Sequence, residues 1–517
     1  MVKLYPIGIQ NFETLRQDGY YYIDKTEIIY RMVKTGRYYF LSRPRRFGKS
    51  LLISTLEAYF QGKREVFERL AIDKLEKDWI QYPVLHLDLN IAKYDQANDL
   101  DDILNRNLVA WEELYGSDPA ERSLALRFAG VIDRAYKKTG QRVAILIDEY
   151  DKPLLQAISD PELQQKFRTT LKPFYGVLKS KDGCIKFALL TGVTKFGKVS
   201  VFSDLNNLMD ISMDRRYIEV CGISEKEIHD NFQEELHELA SIQGITYDTV
   251  CMELKDHYDG YHFAANSVGM YNPFSLLNTF AKMEFGSYWF ETGTPTYLVE
   301  LLKKSHYDLY RMAHEQTSSE VLNSVDPDSL NPIPVIYQSG YLTIKGYEKE
   351  FKIYQLGFPN KEVEEGFINY LLPFYTSVNA VDSAFEIQRF VQEIRKGEID
   401  AFLSRLQSFF ADTPYEQIRN LEVHYQNVLF IVFKLAGFYV KTEYHTSYGR
   451  IDLVLQTDRF IYVMEFKLNG TANEALRQIE DKQYALPFAA DPRPLFKIGI
   501  NFSDTTRNIE NWMIAER

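Results

Sequence analysis

Cysteine is scarce: Cys184, Cys221 and Cys251 are the three in 517 residues. They are odd in number, far apart and without a C-x-x-C pair. That argues against a disulfide framework and against a thiolate zinc site, and it fits a reducing, cytoplasmic compartment. No run of about 18 apolar residues occurs, so no membrane span is expected. The N-terminal stretch MVKLYPIGIQNFETLRQDGYYYIDKTE has no long apolar segment, so no secretory signal is visible. Positive charge is not in excess either. Lys and Arg number 60 against 72 Asp and Glu, a formal charge of −12. This excludes a histone-like or polybasic coat protein but leaves room for a local nucleic-acid site. No period of 20–50 residues repeats, which disfavours a solenoid or propeller, and no stretch is low-complexity. Aromatic residues, in contrast, are plentiful, with 36 Tyr and 34 Phe.

The ordinary globular balance, 45% hydrophobic and 26% charged, and the length suggest about three packed domains. Over the first ~215 residues short apolar runs alternate with helical patterns. Tyr38–Ser42, Val84–Leu89, Val143–Ile147 and Phe187–Thr191 read as strands of a parallel α/β sheet covered on both faces. From about Gly222 the pattern becomes helical, opened by the capping box Ser224-Glu225-Lys226-Glu227. Glu225 to Asp259 holds ten acidic residues and two lysines, either a solvated helical face or a surface that keeps nucleic acid away. Breaks are expected at Tyr271-Asn272-Pro273 and Gly293-Thr294-Pro295, and 337–344 reads as a turn into a strand. Helical spacing returns over Val363–Phe374 and over Ala384–Phe410, with a break at Thr413-Pro414, and then a helix, strands and a last helix.

The first chemical motif lies at 38–52, YYFLSRPRRFGKSLL. An apolar strand runs through a loop into Gly48-Lys49-Ser50 and a helix, the context of a phosphate-binding loop. Backbone N–H groups of Arg43, Pro44–Gly48 and the helix start would cradle phosphates, with no donor from Pro44 itself. Lys49 would neutralise the β and γ phosphates and Ser50 would hold Mg2+. Arg43 stands where GxxxxGK[ST] has its first glycine. About 100 residues later, the apolar run Val143–Ile147 ends in Asp148-Glu149. Carboxylates at the C-terminal end of a parallel strand sit where such sheets bind ligands. Asp148 would bind Mg2+ and Glu149 would activate the attacking water. In Phe187–Lys195 a strand ends in polar residues, and Thr191 or Thr194 would sense the γ-phosphate.

These segments, with IGIQNFETLRQDGYYYIDKTEII, ILIDEYDKPL, LLTGVTKFGKVSVFSDLNNLMDIS, YDGYHF and YNPFSLLN, resemble the AAA-ATPase-like family over roughly residues 4–345. The resemblance implies an AAA-type α/β core that binds and hydrolyses ATP and a helical or winged-helix lobe. Arg43 is within that family's loop pattern. AAA-type modules often complete a site with a neighbour's arginine. Arg215 and Arg216 are the candidates, which leaves a homo-oligomer open.

The second motif is GRIDLVLQTDRFIYVMEFKL at 449–468, with Asp452, Glu465 and Lys467 spaced D-x12-E-x-K. Alternation along a strand puts Glu465 and Lys467 on one face, and a hairpin about Gln456–Arg459 would bring Asp452 beside them. Two buried carboxylates and a lysine are costly unless they pair or hold a metal. Asp452 and Glu465 would hold Mg2+ and Lys467 would stabilise the transition state of phosphodiester cleavage. Glu422, on the preceding helix, is the candidate third carboxylate. Gln478 and Lys482, four apart on the next helix, and Tyr484 beyond them are candidate phosphate contacts.

This constellation resembles the PD-(D/E)XK nuclease superfamily over about residues 415–500, with Ile451 where a proline often precedes the Asp. Together the resemblances imply an ATPase core at 1–221, a helical or winged-helix lobe at 222–345, a helical linker at 346–414 and a nuclease-like α/β domain at 415–517. They imply ATP and Mg2+ as cofactors and nucleic acid, DNA before RNA, as partner.

The cations support a local site by their clustering. Seven lie between 31 and 50 with no acidic residue, and eight between Lys166 and Lys198 against Asp182 alone. The second cluster reads either as a helix surface or as a phosphate-tracking face. The expected function is ATP-controlled cleavage of nucleic acid. Two alternatives stay open: an ATP-switched interaction protein whose nuclease-like fold binds without cutting, and an ATPase whose tail binds sugar or protein.

Overall fold

The computed structural model describes residues 3–196, 207–292, 296–313, 315–323, 325, 331–376, 383–411, 421–437, 441–447 and 450–516. The chain forms two compact units, Met1–Gly293 with Glu315–Glu362, and Thr294–His314 with Val363–Arg517.

The first unit is built on five parallel strands: β1 Tyr38–Ser42, β2 Val84–Asp88, β3 Val143–Asp148, β4 Ile185–Gly192 and β5 Met209–Asp210. Their order is β2-β3-β4-β1-β5. All six residues of β3 are buried, and so are seven of eight in β4. This is why those strands read as unbroken apolar runs instead of alternating ones. The helix Lys49–Phe60 follows β1 and buries Leu52, Ile53, Leu56 and Phe60. In β-α-β units that face one way, the strand C-termini and the following helix N-termini gather at one edge. The sheet therefore brings the ends of β1, β3 and β4 together.

Short strands β6 Ile223–Ser224 and β7 Met270–Tyr271 pair where the chain enters a helical lobe. The expected capping box forms: Ser224 and Glu227 bond each other's backbone N–H. Helices Glu225–Asn231, Gln233–Gln243, Tyr247–Tyr258 and Pro273–Lys282 follow. They close around Phe232, Leu236, Leu239, Tyr258, Leu276 and Phe280. Asn272 caps the last of them through the Phe274 and Ser275 N–H groups. The acidic stretch is not simply solvated. Glu235 and Glu227 tie down Lys3 and Lys25 of the N-terminal segment.

After β8 Gln316–Ser318 come helices Ser319–Leu322 and Ile333–Gln338, then the hairpin of β9 Thr343–Glu348 and β10 Ile353–Gly357. The sheet order β8-β10-β9 and the strand–helix–helix–hairpin sequence are those of a winged helix. Residues 337–344 thus begin as the end of a helix, and the strand starts only at Thr343. Gly340, at φ +90, makes the turn. A Cβ there would lie 2.7 Å from the Pro44 ring, so this glycine lets the wing's root press on the phosphate-loop sequence.

In the second unit five strands order as β11 Lys441–Ser447, β12 Arg450–Gln456, β13 Ile461–Leu468, β14 Leu495–Ser503 and β15 Asn508–Glu516. All neighbours are antiparallel except β13 and β14. Helices Lys361–Tyr375, Ser383–Lys396, Ile399–Ala411 and Leu421–Gly437 precede the sheet, and Ala472–Asp481 joins β13 to β14. The single helix expected over 384–410 is two. Gly397 adopts φ +84 and ends the first, a left-handed stop that helical spacing alone does not reveal.

Gly340→Ala should force the Pro44 ring to shift and strain the left-handed turn, costing about 1–3 kcal/mol. Thermal unfolding followed by circular dichroism would register this as a lowered midpoint.

Candidate active sites

The loop between β1 and the Lys49–Phe60 helix turns through two left-handed residues, Arg46 at φ +64 and Gly48 at φ +96. Its side chains divide by role. Phe47 is buried and packs edge-on against Tyr261 and Phe263, with ring centroids 4.7 and 5.5 Å away. The Gly222 N–H bonds the Phe47 carbonyl at 3.1 Å, and Trp289 Nε1 bonds the Arg45 carbonyl at 3.0 Å. Arg46 lies over the Phe274 ring. The loop is therefore held from the lobe at three successive residues, Arg45, Arg46 and Phe47.

Arg43 accounts for the missing first glycine. It is 1% exposed. Its guanidinium donates to the Ser42 and Ser212 carbonyls at 2.9 and 2.7 Å and to the Tyr217 carbonyl at 3.3 Å. It also lies 4.0 Å over the Phe263 ring. Burial pushes its pKa down to about 10, still protonated at neutral pH. Its side chain ties the loop to β5 and the lobe, so any phosphate contact from Arg43 is left to its backbone.

Lys49, 4% exposed, donates to the Arg43 and Pro44 carbonyls at 3.1 and 3.2 Å and pairs with Glu149 at 3.2 Å. Its ammonium lies inside the concave side of the loop. Ser50 follows it at the helix start.

The segment Asp148-Glu149-Tyr150-Asp151 clasps the end of β4. Asp148 Oδ1 accepts the Thr191 hydroxyl at 2.5 Å and the Glu149 N–H at 3.0 Å. The Tyr150 N–H bonds the Thr191 carbonyl, and the Tyr150 hydroxyl donates to the Thr194 carbonyl. Asp151 accepts the Val193 N–H at 3.1 Å, the Thr194 N–H at 2.5 Å and the Thr194 hydroxyl at 2.7 Å. Glu149 alone points the other way, towards Lys49, because its backbone is left-handed at φ +52. The two threonine hydroxyls named as phosphate sensors are thus both committed to carboxylates.

Asp151 is the residue that sequence reasoning missed. It is fully buried, and burial first, then the charge of Glu149, raises its pKa to about 6. Gly192 makes room for it, since a Cβ there would sit 2.3 Å from Asp151 Oδ1. The signal was the second Asp of DEYD beside the glycine of LLTG.

A cavity of about 100 Å3 opens beside Gly48. Tyr21 and Ile23 of the N-terminal segment, Leu51, Val220 and Leu277 give it apolar walls.

In the second unit the β12–β13 hairpin sets Asp452 opposite Glu465, and Glu465 opposite Gly499 of β14. The side chains of Asp452 and Glu422 lie outside the described residues. Glu465 is fully buried, 3.5 Å from the Lys467 ammonium, and Lys467 in turn bonds Gln478 Oε1. Ile461 and Val463 share that face and pack on Ile479 of the Ala472–Asp481 helix. Gly499 lets this helix come close: a Cβ there would be 2.1 Å from the Ala472 carbonyl. Tyr484 packs on the same cluster, while Lys482 is exposed at the helix end. The Leu421–Gly437 helix, whose second residue is Glu422, covers the other face, with Phe433 against Phe466 and Tyr425 against Phe502. The structure brings Glu465, Lys467 and Gln478 together and sets the Glu422 helix across the sheet from them.

The clustered cations are mostly spent on the protein itself. Lys34 pairs with Glu76, Arg37 with Asp182 and Lys181 with Asp133. Lys166 bonds Asn98, and Lys195 pairs with Asp210. The stretch from Lys166 thus has Lys166, Lys181 and Lys195 bonded within the protein. Arg216 pairs with Asp214 and Arg215 bonds the Ala265 carbonyl. Among the described residues, no group of three His, Cys, Asp or Glu stands in metal-ligating geometry, and no helix is long and apolar enough to cross a membrane.

Residues 6–202 match the family described as Predicted AAA-ATPase, and residues 420–512 match the PD-(D/E)XK nuclease superfamily. A protein of Azotobacter chroococcum mcd 1, entitled Uncharacterized protein in vnfD 5'region, is 35% identical over 99% of both chains. The Aeropyrum pernix ORC2 protein, solved as ADPNP–ADP complexes, is 12% identical over 65% of this chain and 87% of its own, at a TM-score of 0.22.

Arg43→Gly should destabilise the fold although it restores the usual loop glycine. Two buried carbonyls lose a charged donor, at about 1–3 kcal/mol. A midpoint equal to or above wild type in thermal denaturation would contradict this role for Arg43.

Proposed function

Because the chain belongs to the predicted AAA-ATPase family and ends in a PD-(D/E)XK nuclease superfamily domain, we propose that it hydrolyses ATP and cleaves nucleic-acid phosphodiesters under ATP control. The observation that carries the first half is the Lys49–Glu149 pair inside the loop, 3.2 Å apart. A triphosphate entering the loop gives Lys49 a stronger partner than two carbonyls and one carboxylate. That frees Glu149 to orient water and accept its proton. Loop and helix N–H groups, from Arg45 to Ser50, bind the phosphate oxygens. Thr191 holds Asp148 in place through Oδ1. Thr194 acts through Asp151 as a support for this edge, not as a free sensor.

The second half rests on the buried Glu465–Lys467 pair and on the register that sets Asp452 across from it. Here Lys467, fixed by Gln478, donates to the phosphodiester and stabilises the charge that develops on it. The donor chemistry suits hard divalent ions: a hydroxyl and carboxylate at Ser50 and Asp148, and two carboxylates at Asp452 and Glu465. Mg2+ held there supplies charge neutralisation at phosphate oxygens and a water of lowered pKa. DNA is the favoured substrate, and binding is local and salt-sensitive, because each phosphate met by a lysine or arginine releases counterions. The functional modules follow the divisions read from the sequence, at 221, 345 and 414, with the β9–β10 hairpin crossing the second of them.

Incubation of plasmid DNA with Mg2+ or Mn2+, with and without ATP, tests this. Wild type should cut, Asp452→Ala should not, and Lys49→Ala should lose the response to ATP. Cutting that is indifferent to Lys49→Ala would remove the ATP control. Intact plasmid under every condition would remove the nuclease and favour the interaction-protein alternative.

A further inference from the structure

The cavity beside Gly48 has a composition that bears on which nucleotide the first site accepts. Its position is that of a base pocket, since a nucleotide whose phosphates lie in the loop extends past Gly48 into it. That placement rests on the ATP reading above. What the walls offer is the new observation.

Four polar side chains contribute to the lining: Tyr21, Tyr22, Lys25 and Thr55. Each is already bonded within the protein. The Tyr21 hydroxyl donates to Asn231 Oδ1 at 2.6 Å. Lys25 grips both carboxylate oxygens of Glu227, one at 2.6 Å. Thr55 donates to the Leu51 carbonyl at 2.7 Å, and its hydroxyl lies beside that of Tyr22. These bonds are what pins the N-terminal segment against the lobe and against the Lys49–Phe60 helix. The polar ends of Tyr21, Lys25 and Thr55 are thus engaged with the protein, and apolar residues make up most of the rest of the lining. One backbone donor at the mouth is also taken, as the Gly222 N–H bonds the Phe47 carbonyl.

We propose that this pocket selects a purine base by shape and apolar contact, without side-chain reading of its exocyclic groups, so that the site takes GTP as well as ATP. A pocket that discriminates by apolar fit alone separates related ligands by about 10–200-fold. A site built to hydrogen-bond the ligand rejects the analogue by about 10⁴–10⁵-fold. The smaller pyrimidine ring leaves part of the apolar wall wet and binds more weakly than either purine.

The test is displacement of a ribose-labelled fluorescent ATP from the full chain in Mg2+ by unlabelled ATP, GTP, CTP and UTP. The expected result is ATP and GTP midpoints within about 200-fold of each other, with both pyrimidines weaker than both purines. GTP weaker than ATP by more than that, or a pyrimidine that competes as well as a purine, would overturn the proposal while leaving the ATP reading standing. Failure of unlabelled ATP itself to displace the label would instead remove the ATP reading. Ile23→Trp fills the cavity and serves as the second arm. It should weaken all four nucleotides while the far-ultraviolet circular dichroism stays unchanged. Undiminished binding in a folded Ile23→Trp protein would place the base elsewhere and overturn the proposal.

Discussion

The left-handed backbone at Glu149 is the constraint on which the first site depends. In an extended continuation of β3 successive side chains would alternate across the sheet, so Tyr150 and Asp151 could not both turn with Asp148 to the end of β4. At φ +52 the chain instead turns back, so Asp148, Tyr150 and Asp151 all bond the end of β4 while Glu149 reaches Lys49. A non-glycine residue in this region costs about 1–2 kcal/mol. The bonds of its three neighbours to the 191–194 backbone and side chains offset that cost. The same bonds explain why Gly192 has no side chain: the Asp151 carboxylate occupies the space.

A comparable economy of space shapes the second site. Four residues separate Gln456 from Ile461, which are register partners, and that loop length fixes Asp452 opposite Glu465. On the adjoining strand the position level with Glu465 is Gly499, against which the Ala472–Asp481 helix lies. Close approach of that helix is what puts Gln478 within reach of Lys467. Removing the side chain at 499 and lengthening it at 467 are two parts of one arrangement. The buried charge of Glu465 is acceptable in this setting because a cation of the protein stands 3.5 Å away.

Much of this was legible in the sequence because it is local. Buried parallel strands announce themselves as apolar runs, and β1 to β4 fall where those runs are. The period-2 spacing of Glu465 and Lys467 and the short turn before them imply the hairpin. What stayed hidden depends on partners far along the chain. Nothing near Arg43 says that Ser212 and Tyr217 will receive its guanidinium. Nothing near Pro44 says that Gly340 will lie against it. Nothing near Asp151 says that it will be the buried anchor of another strand's exit. The pairing of the clustered cations stayed hidden for the same reason, since the acidic partners Glu76, Asp133 and Asp182 are brought to them only by folding.

In the proposed hydrolysis Lys49 and Glu149 are two halves of one device, one holding phosphate and the other activating water. The most direct measurement is ATP binding and ATP turnover side by side in Lys49→Ala and Glu149→Gln. Lys49→Ala should lose binding and turnover together. Glu149→Gln should bind ATP and lose turnover by about 10²–10⁴-fold. A Glu149→Gln protein that turns over ATP at the wild-type rate would contradict the account.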